Sequence, residues 1–301
     1  MKTNSLSAWI LAVRPYSLGN SVILVLVGSA LAWSDGAFHL LPALLCLLFA
    51  LLMQCTANLV NDLWDYLKGA DQPDRLGPDR AFAKGYITLG AMKGGIAAFT
   101  LAACAAGCAL LAWALRHDVL RYGGWELVAV GLLCVVFAYF YTAGPWPLAY
   151  HGLGDVILFF GLIPVGFTYY LQTGTWNWEV TLAALACGLV IDTMLMINNF
   201  RDRDEDARCR KRTVVVLLGA AFGRWGYLLL GVAAAALCLT LAFAGRYGAA
   251  LLPLLYLTLH VATWRKMVRI DHGDALNVCL GETARNIMLF GALLTVGILI
   301  G

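Results

Sequence analysis

Along the 301 residues, apolar positions neither alternate nor fall on a single stripe. They run together for about 20 residues at a time and are broken by short polar stretches. Such runs begin near Leu18, Leu40, Ile96, Leu127, Val156, Val180, Tyr227, Ala249 and Val278. Each is close to the length that crosses roughly 30 Å of hydrocarbon as a helix. A closed barrel also satisfies every backbone group in lipid, but it needs short alternating strands, and these runs are continuous and rich in Leu and Ala. The pattern predicts an all-α membrane bundle of nine transmembrane helices, forming a single domain over residues 1–301.

Composition agrees with the pattern. Hydrophobic residues make up 61% of the chain and charged residues 13%, a balance that leaves too little polar surface for a water-soluble fold. The first apolar run follows Arg14-Pro15 and has no small-residue processing site before the next span, so it is expected to persist in the mature protein. Cys46, Cys55, Cys104, Cys134, Cys187 and Cys238 fall largely within spans without paired ligand spacing, so buried packing is expected and neither a disulfide nor a zinc site.

The basic residues then set an orientation. With the N-terminus in the cytoplasm, 17 Lys and Arg residues fall in inside loops, against only Arg116, Arg121 and Arg246 outside. The net charge of +3 therefore reads as topology and not as a sign of nucleic-acid binding. A multi-pass protein of a bacterial cytoplasmic membrane, with its C-terminus outside, is expected.

Topology leaves one feature unexplained, because two of the inside loops also concentrate acids. The second span ends in Asn58-Leu-Val-Asn61-Asp62-Leu-Trp-Asp65-Tyr-Leu-Lys68-Gly69-Ala-Asp71, which places Asn58, Asp62 and Asp65 on one helical face, with Gly69 ending the helix. The sixth span ends in Asn198-Asn199-Phe-Arg201-Asp202-Arg203-Asp204-Glu205-Asp206, where Asn198, Asp202 and Asp206 again share a face. Asp204 and Glu205 point off that face, toward solvent. Asn58 and Asn198, like Asp62 and Asp202, lie 140 residues apart, which suggests two similar four-helix halves followed by a ninth helix.

Acids at this density repel one another unless a cation neutralises them, and hard oxygen ligands around an open site suit Mg²⁺. Magnesium in turn implies phosphate. Lys68, Arg75, Arg80 and Lys84 follow the first cluster, and Arg201, Lys211 and Arg212 surround the second, all suited to hold diphosphate oxygens. A solvated loop with internally paired charges accounts for any single acid equally well. It does not account for two matched clusters placed where helices leave the lipid.

With these residues in view, the chain resembles the UbiA superfamily of intramembrane prenyltransferases. Asn58-Leu-Val-Asn61-Asp62 through Lys68-Gly69-Ala-Asp71, Gly77-Pro78-Asp79-Arg80, and Asn198-Asn199-Phe-Arg201-Asp202 with Lys211-Arg212-Thr213 are similar to its 1,4-dihydroxy-2-naphthoate prenyltransferases. Tyr141-Thr142-Ala-Gly144-Pro145 and Gly152-Leu-Gly154-Asp155 fit the same pattern. One stretch departs from it: Ala207-Arg208-Cys209-Arg210 stands where a small residue and a glycine are expected.

The resemblance implies that Asp62, Asp65, Asp202 and Asp206 bind Mg²⁺ and with it the diphosphate of a polyprenyl donor. It places Asn58, Asn61, Lys68, Arg80, Asn198, Asn199, Arg201 and Lys211 around that substrate. It makes Arg14 a candidate for the acceptor's carboxylate, Tyr141 a wall of the cavity and Asp155 a group that positions or deprotonates the acceptor. The implied product is a demethylmenaquinol, formed with loss of diphosphate and carbon dioxide.

The partners are then polyprenyl diphosphate, an aromatic acid and the bilayer, with no obligate protein partner. The alternative acceptor is 4-hydroxybenzoate. A divalent-cation transporter shares the repeat and the intramembrane polar groups, but its site is expected near the bilayer midplane and not at helix ends. Within the spans, Glu282 and Arg285 lie one turn apart and are expected to pair. Asp192, about 15 Å along the helix from Asp202, is too far away to share its metal.

Overall fold

A computed structural model describes residues 1–71, 76–152 and 161–301. Every regular element among them is helical. In chain order the α-helices are α1 (Leu6–Val13), α2 (Pro15–Ser34), α3 (Leu40–Leu67), α4 (Leu89–Arg116), α5 (Trp125–Phe140), α6 (Thr168–Thr173), α7 (Trp178–Arg208), α8 (Val214–Leu218), α9 (Ala220–Thr240), α10 (Tyr247–Leu251), α11 (Tyr256–Ile270) and α12 (Asn277–Ile300).

Seven helical stretches among the described residues are long and apolar enough to cross a bilayer, and α5 is a shorter apolar one. This is fewer than the nine full spans expected from the sequence. The fifth expected span accounts for part of the difference: its described portion, Leu162–Phe167 and α6, is short, and 153–160 lie outside the described residues. Leu162–Phe167 winds as a π-helix, an opening that accommodates Pro164, which has no N–H to give.

Local chemistry fixes the helix ends. The first span starts earlier than the apolar run suggested, at Pro15, because proline suits the first helical position. Arg14 just before it is left-handed at φ 53°, which separates the span from α1, a short helix the apolar pattern did not announce. The Asn177 side chain accepts the Val180 N–H at 2.9 Å to start α7, and Gly69, at φ 79°, follows the end of α3 as expected.

Successive long helices pack together, most closely α3 on α4 and, across the short α8, α7 on α9, while α12 returns to lie against α2. Gly291 permits that return, since a Cβ there would stand 2.0 Å from a side-chain carbon of Ile23. The core between α2, α7 and α12 is apolar, with Val27, Leu31, Val190, Ile287 and Phe290 buried. It holds α7, and therefore its acids, at a fixed rotation.

Several sequence expectations change. Cys46, Cys55, Cys134, Cys187 and Cys238 are buried, but Cys104 and Cys108 face outward on α4. Glu282 bonds to Lys266 and Thr263 and not to Arg285, whose guanidinium reaches Asn286. The packing of α11 against α12 supplies a nearer cation.

Candidate active site

One cavity of about 430 Å³ runs between the helices. One end is polar and the remainder apolar. Asp65, Asp71, Arg80, Asp202, Glu205, Asp206 and Lys211 line the polar end, with Arg14, Asn58, Asn61, Asn198 and Asn199 just beneath. Phe49, Met53, Leu110, Leu127, Cys134 and Phe137 wall the apolar part, and Tyr141 is also on the wall.

The two acid motifs therefore meet in space. On α7, Asn198, Asp202 and Asp206 all face the cavity, as their spacing predicted. Glu205, expected to point to solvent, lines it too, whereas Asp204 is exposed. Asp192 is buried on the same wall, deeper in the cavity.

On α3 the facing set is Gln54, Asn58, Asn61 and Asp65, and Asp62 is turned behind it. The rotation has a local cause: the Phe82 N–H, from the turn after Arg80, bonds to Asp62 Oδ2 at 3.3 Å. Asp62 Oδ1 is buried without a hydrogen-bond partner, close to Arg14, Arg80 and Asp71, all three on the cavity wall.

A relay of hydrogen bonds orients Asp65. Arg14 donates to Asn61 Oδ1 at 2.9 Å, Asn61 donates to Asp65 Oδ2 at 2.7 Å, and the Tyr150 hydroxyl donates to Asp65 Oδ1 at 2.9 Å. The Tyr150 ring carries the Lys68 ammonium 4.8 Å and the Lys211 ammonium 5.6 Å from its centroid. Burial and the Asp65 carboxylate push the Tyr150 hydroxyl well above the usual tyrosine range, so it stays a donor. Burial weighs against a charge on Lys211, but the carboxylates of Asp65, Asp206 and Asp202 outweigh it and raise the pKa above that of an ordinary lysine. Lys211 sits 3.5 Å from Asp206. Arg14 is pushed down to about 10 by burial and by the Arg80 guanidinium, and so remains cationic at neutral pH.

Not every expected ligand faces the cavity. The Lys68 ammonium donates to the carbonyls of Thr142 and Gly144, at 2.8 and 3.2 Å, and ties the loop after α5 to the end of α3. Arg201 is buried and grips both Asp202 oxygens, at 2.6 and 2.7 Å, where a diphosphate contact was expected. Arg75 and Asp155 lie outside the described residues. At the departure from the family pattern, Arg210 takes φ 57°, the left-handed conformation that a glycine adopts without strain. Beside it the Cys209 thiol donates to the Gly69 carbonyl at 3.3 Å, joining the loops after α3 and α7. Sequence reasoning missed Tyr150 and the cavity position of Asp71, since neither lies on the repeated helical faces.

Among the described residues, no three His, Cys, Asp or Glu side chains form a preassembled metal cluster. The donor set nevertheless fits Mg²⁺. That ion keeps several waters, needs only one or two carboxylates, and takes its remaining ligands from substrate phosphates. Asp206 Oδ2 and Asp62 Oδ1 are buried without hydrogen-bond partners, which suits hard oxygen donors awaiting a cation.

Fold and site together define an integral-membrane helical protein with an acid- and cation-lined head on an apolar cavity. The chain belongs to the UbiA prenyltransferase family, whose profile matches residues 21–280. It is 41% identical over 219 residues to a 1,4-dihydroxy-2-naphthoate octaprenyltransferase of Escherichia coli (strain K12), covering 72% of this chain and 70% of that one. It is 38% identical over 250 residues to the protein of the same description from Haemophilus influenzae (strain Rd), covering 81% and 79%. Its fold is that of a UbiA homolog from Archaeoglobus fulgidus bound to GPP and Mg²⁺, with a TM-score of 0.57 at 15% identity over 95% of this chain and 99% of that one.

Proposed function

We propose that this protein transfers a polyprenyl group from polyprenyl diphosphate to 1,4-dihydroxy-2-naphthoate, releasing diphosphate and carbon dioxide and giving a demethylmenaquinol. The observation that carries the reading is the single cavity in which both acid motifs and three cations meet above an apolar channel. The relatives supply the acceptor, since both act on 1,4-dihydroxy-2-naphthoate by description.

Asp65, Asp202 and Asp206, which line the cavity, would hold Mg²⁺, with the buried Asp62 carboxylate behind them adding negative charge to the site; when bound, the ion neutralises diphosphate charge and favours its departure. The chain's own part is to bind, orient and exclude water. Arg80 and Lys211 meet the diphosphate oxygens as the allylic carbon–oxygen bond breaks and its electron pair leaves with diphosphate. Tyr150 and Asn61 hold Asp65 in one rotamer.

Phe49, Met53, Leu110, Leu127 and Phe137 enclose the prenyl chain away from water, which would otherwise capture the allylic cation. The electron-rich ring attacks that cation at the carbon bearing the carboxylate. Loss of carbon dioxide then returns the bonding pair to the ring. Arg14, on the wall below the acids, is the cation for the acceptor's carboxylate, and Tyr141 lines the same wall.

The apolar runs of the sequence support a single domain of nine transmembrane passes over 1–301, of which seven long helices and the shorter α5 are among the described residues. The packing of α3 with α4 and of α7 with α9 supports two four-helix halves. The positive-inside distribution supports a cytoplasmic N-terminus and an acid-lined head opening to the cytoplasmic face.

The test is direct. Purified protein, Mg²⁺ and a labelled polyprenyl diphosphate are offered dihydroxynaphthoate or 4-hydroxybenzoate, and products are scored by mass and by released carbon dioxide. Preference for 4-hydroxybenzoate with its carboxylate retained overturns the acceptor. Absence of any prenylated product overturns the reading.

A further inference from the structure

Asn277, the first residue of α12, sits behind the cavity wall at a junction between the two acid motifs. Its side-chain oxygen accepts a hydrogen bond from Arg201 Nη1 at 3.0 Å, and its side-chain N–H donates to the Leu76 carbonyl at 2.9 Å. Arg201 in turn engages both oxygens of Asp202 through Nε and Nη2. Leu76 opens the Gly77-Pro78-Asp79-Arg80 stretch, and Arg80 pairs with Asp71 at 3.0 Å. A single amide thus connects the carboxylate of one half to the loop that carries the cation of the other.

The arrangement is demanding. Arg201 is 2% exposed, so its charge is withdrawn from water and must be fully paired. Asp202 supplies the charge, and Asn277 accepts from Nη1, the guanidinium nitrogen that Asp202 does not engage. With both oxygens gripped by a planar guanidinium that is itself fixed, Asp202 is held in one orientation toward the cavity. Outer partners of this kind orient metal-binding carboxylates. An apolar residue at 277 would leave Arg201 with an unsatisfied buried donor and free the loop from α12.

We infer that Asn277 is a positioning residue that sets the separation and orientation of the two acid motifs around Mg²⁺-diphosphate, acting on one side through Arg201 and Asp202 and on the other through Leu76. The inference rests on the Mg²⁺-diphosphate reading of the cavity. It assigns α12, which contributes no residue to the cavity wall, a role in the chemistry.

The experiment measures thermal melting of the purified protein in lipid nanodiscs during Mg²⁺ titration with inorganic pyrophosphate, alongside steady-state kinetics. Asn277→Leu is expected to raise the Mg²⁺ concentration for half-maximal stabilisation about ten- to a hundredfold and to lower kcat, leaving the acceptor's KM unchanged. A purely structural residue would instead lower the ligand-free melting temperature and leave Mg²⁺ half-saturation where it was, and that result overturns the inference.

Asn277→Asp keeps an acceptor for Arg201 but presents no N–H to the Leu76 carbonyl, so it is expected to fall between wild type and Asn277→Leu. Wild-type half-saturation in Asn277→Asp also counts against the bridge, and this variant serves as the test if Asn277→Leu does not fold. Because Asn277 acts through Arg201, adding Asn277→Leu to Arg201→Lys is expected to cost less than the product of the single losses, and full additivity refutes the coupling. If wild-type protein shows no Mg²⁺-dependent response to pyrophosphate, the diphosphate reading itself fails, whereas a responsive wild type with an unaffected Asn277→Leu removes only the role of Asn277.

Discussion

Tyr150→Phe isolates one hydrogen bond at the centre of the site. The substitution removes the hydroxyl that donates to Asp65 Oδ1 at 2.9 Å and keeps the ring over which Lys68 and Lys211 are placed. Asp65 retains Asn61 on its other oxygen, so the carboxylate stays but one of its two fixed contacts is gone. A hydrogen bond to a charged acceptor contributes roughly 1.5–3 kcal/mol, and about 1.4 kcal/mol corresponds to tenfold, so kcat/KM for the prenyl donor should fall about ten- to a hundredfold. The loss should be the same from pH 7 to 9, because the elevated Tyr150 pKa keeps the wild-type hydroxyl protonated throughout.

Steady-state kinetics in nanodiscs, with product quantified by mass spectrometry, reads the effect, and thermal melting shows whether the fold is intact. Tyr150→Ala should cost more than Tyr150→Phe, since it also removes the face that the two ammonium groups share. Wild-type kcat/KM in Tyr150→Phe would refute the orienting role of the hydroxyl. Equal losses in the two variants would refute the contribution of the ring.

Asp202→Ala and Asp206→Ala should each abolish turnover in a protein that still folds in membranes, and chelation should do the same to wild type until Mg²⁺ is restored; activity surviving in excess chelator contradicts the mechanism. Arg14→Leu should raise the acceptor's KM far more than the donor's, and the reverse pattern would detach Arg14 from the acceptor. The raised pKa of Lys211 means that its contribution to stability is complete below the ordinary lysine value and is lost only as pH rises through the higher folded value. The melting difference between wild type and Lys211→Gln should therefore be flat from neutral pH to about pH 10 and shrink above it, so a difference that shrinks below pH 9 would show the lysine is not held by carboxylates. A cysteine placed at position 76 in a Cys-depleted background should label only from the cytoplasmic side, and labelling of intact cells by an impermeant reagent would invert the topology.

On α7 the shared face of Asn198, Asp202 and Asp206 was legible in the chain, because these residues are spaced by about whole helical turns and α7 presents that face to the cavity. Glu205, expected to face solvent, lines it too. The motif on α3 was legible in content but not in rotation. Each residue turns a helix by about 100°, so a small rotation decides whether Asn61 or Asp62 faces inward. The Phe82 amide, twenty residues away, holds Asp62 behind the wall. Arg201 and Lys68 were expected to be substrate ligands by charge alone; neighbouring acceptors draw Arg201 to Asp202 and Asn277, and Lys68 to the carbonyls of Thr142 and Gly144.

What the sequence by itself determined is what depends on local composition and period: a helical membrane bundle, acids at the ends of two helices 140 residues apart, and cations following each. These follow from the cost of exposing backbone and charge to lipid, which acts along the chain. Only the tertiary structure decided which residues meet. Tyr150 reaches Asp65 across 85 residues and Asn277 reaches Arg201 across 76, because helix packing sets the direction of each side chain and no local preference encodes it.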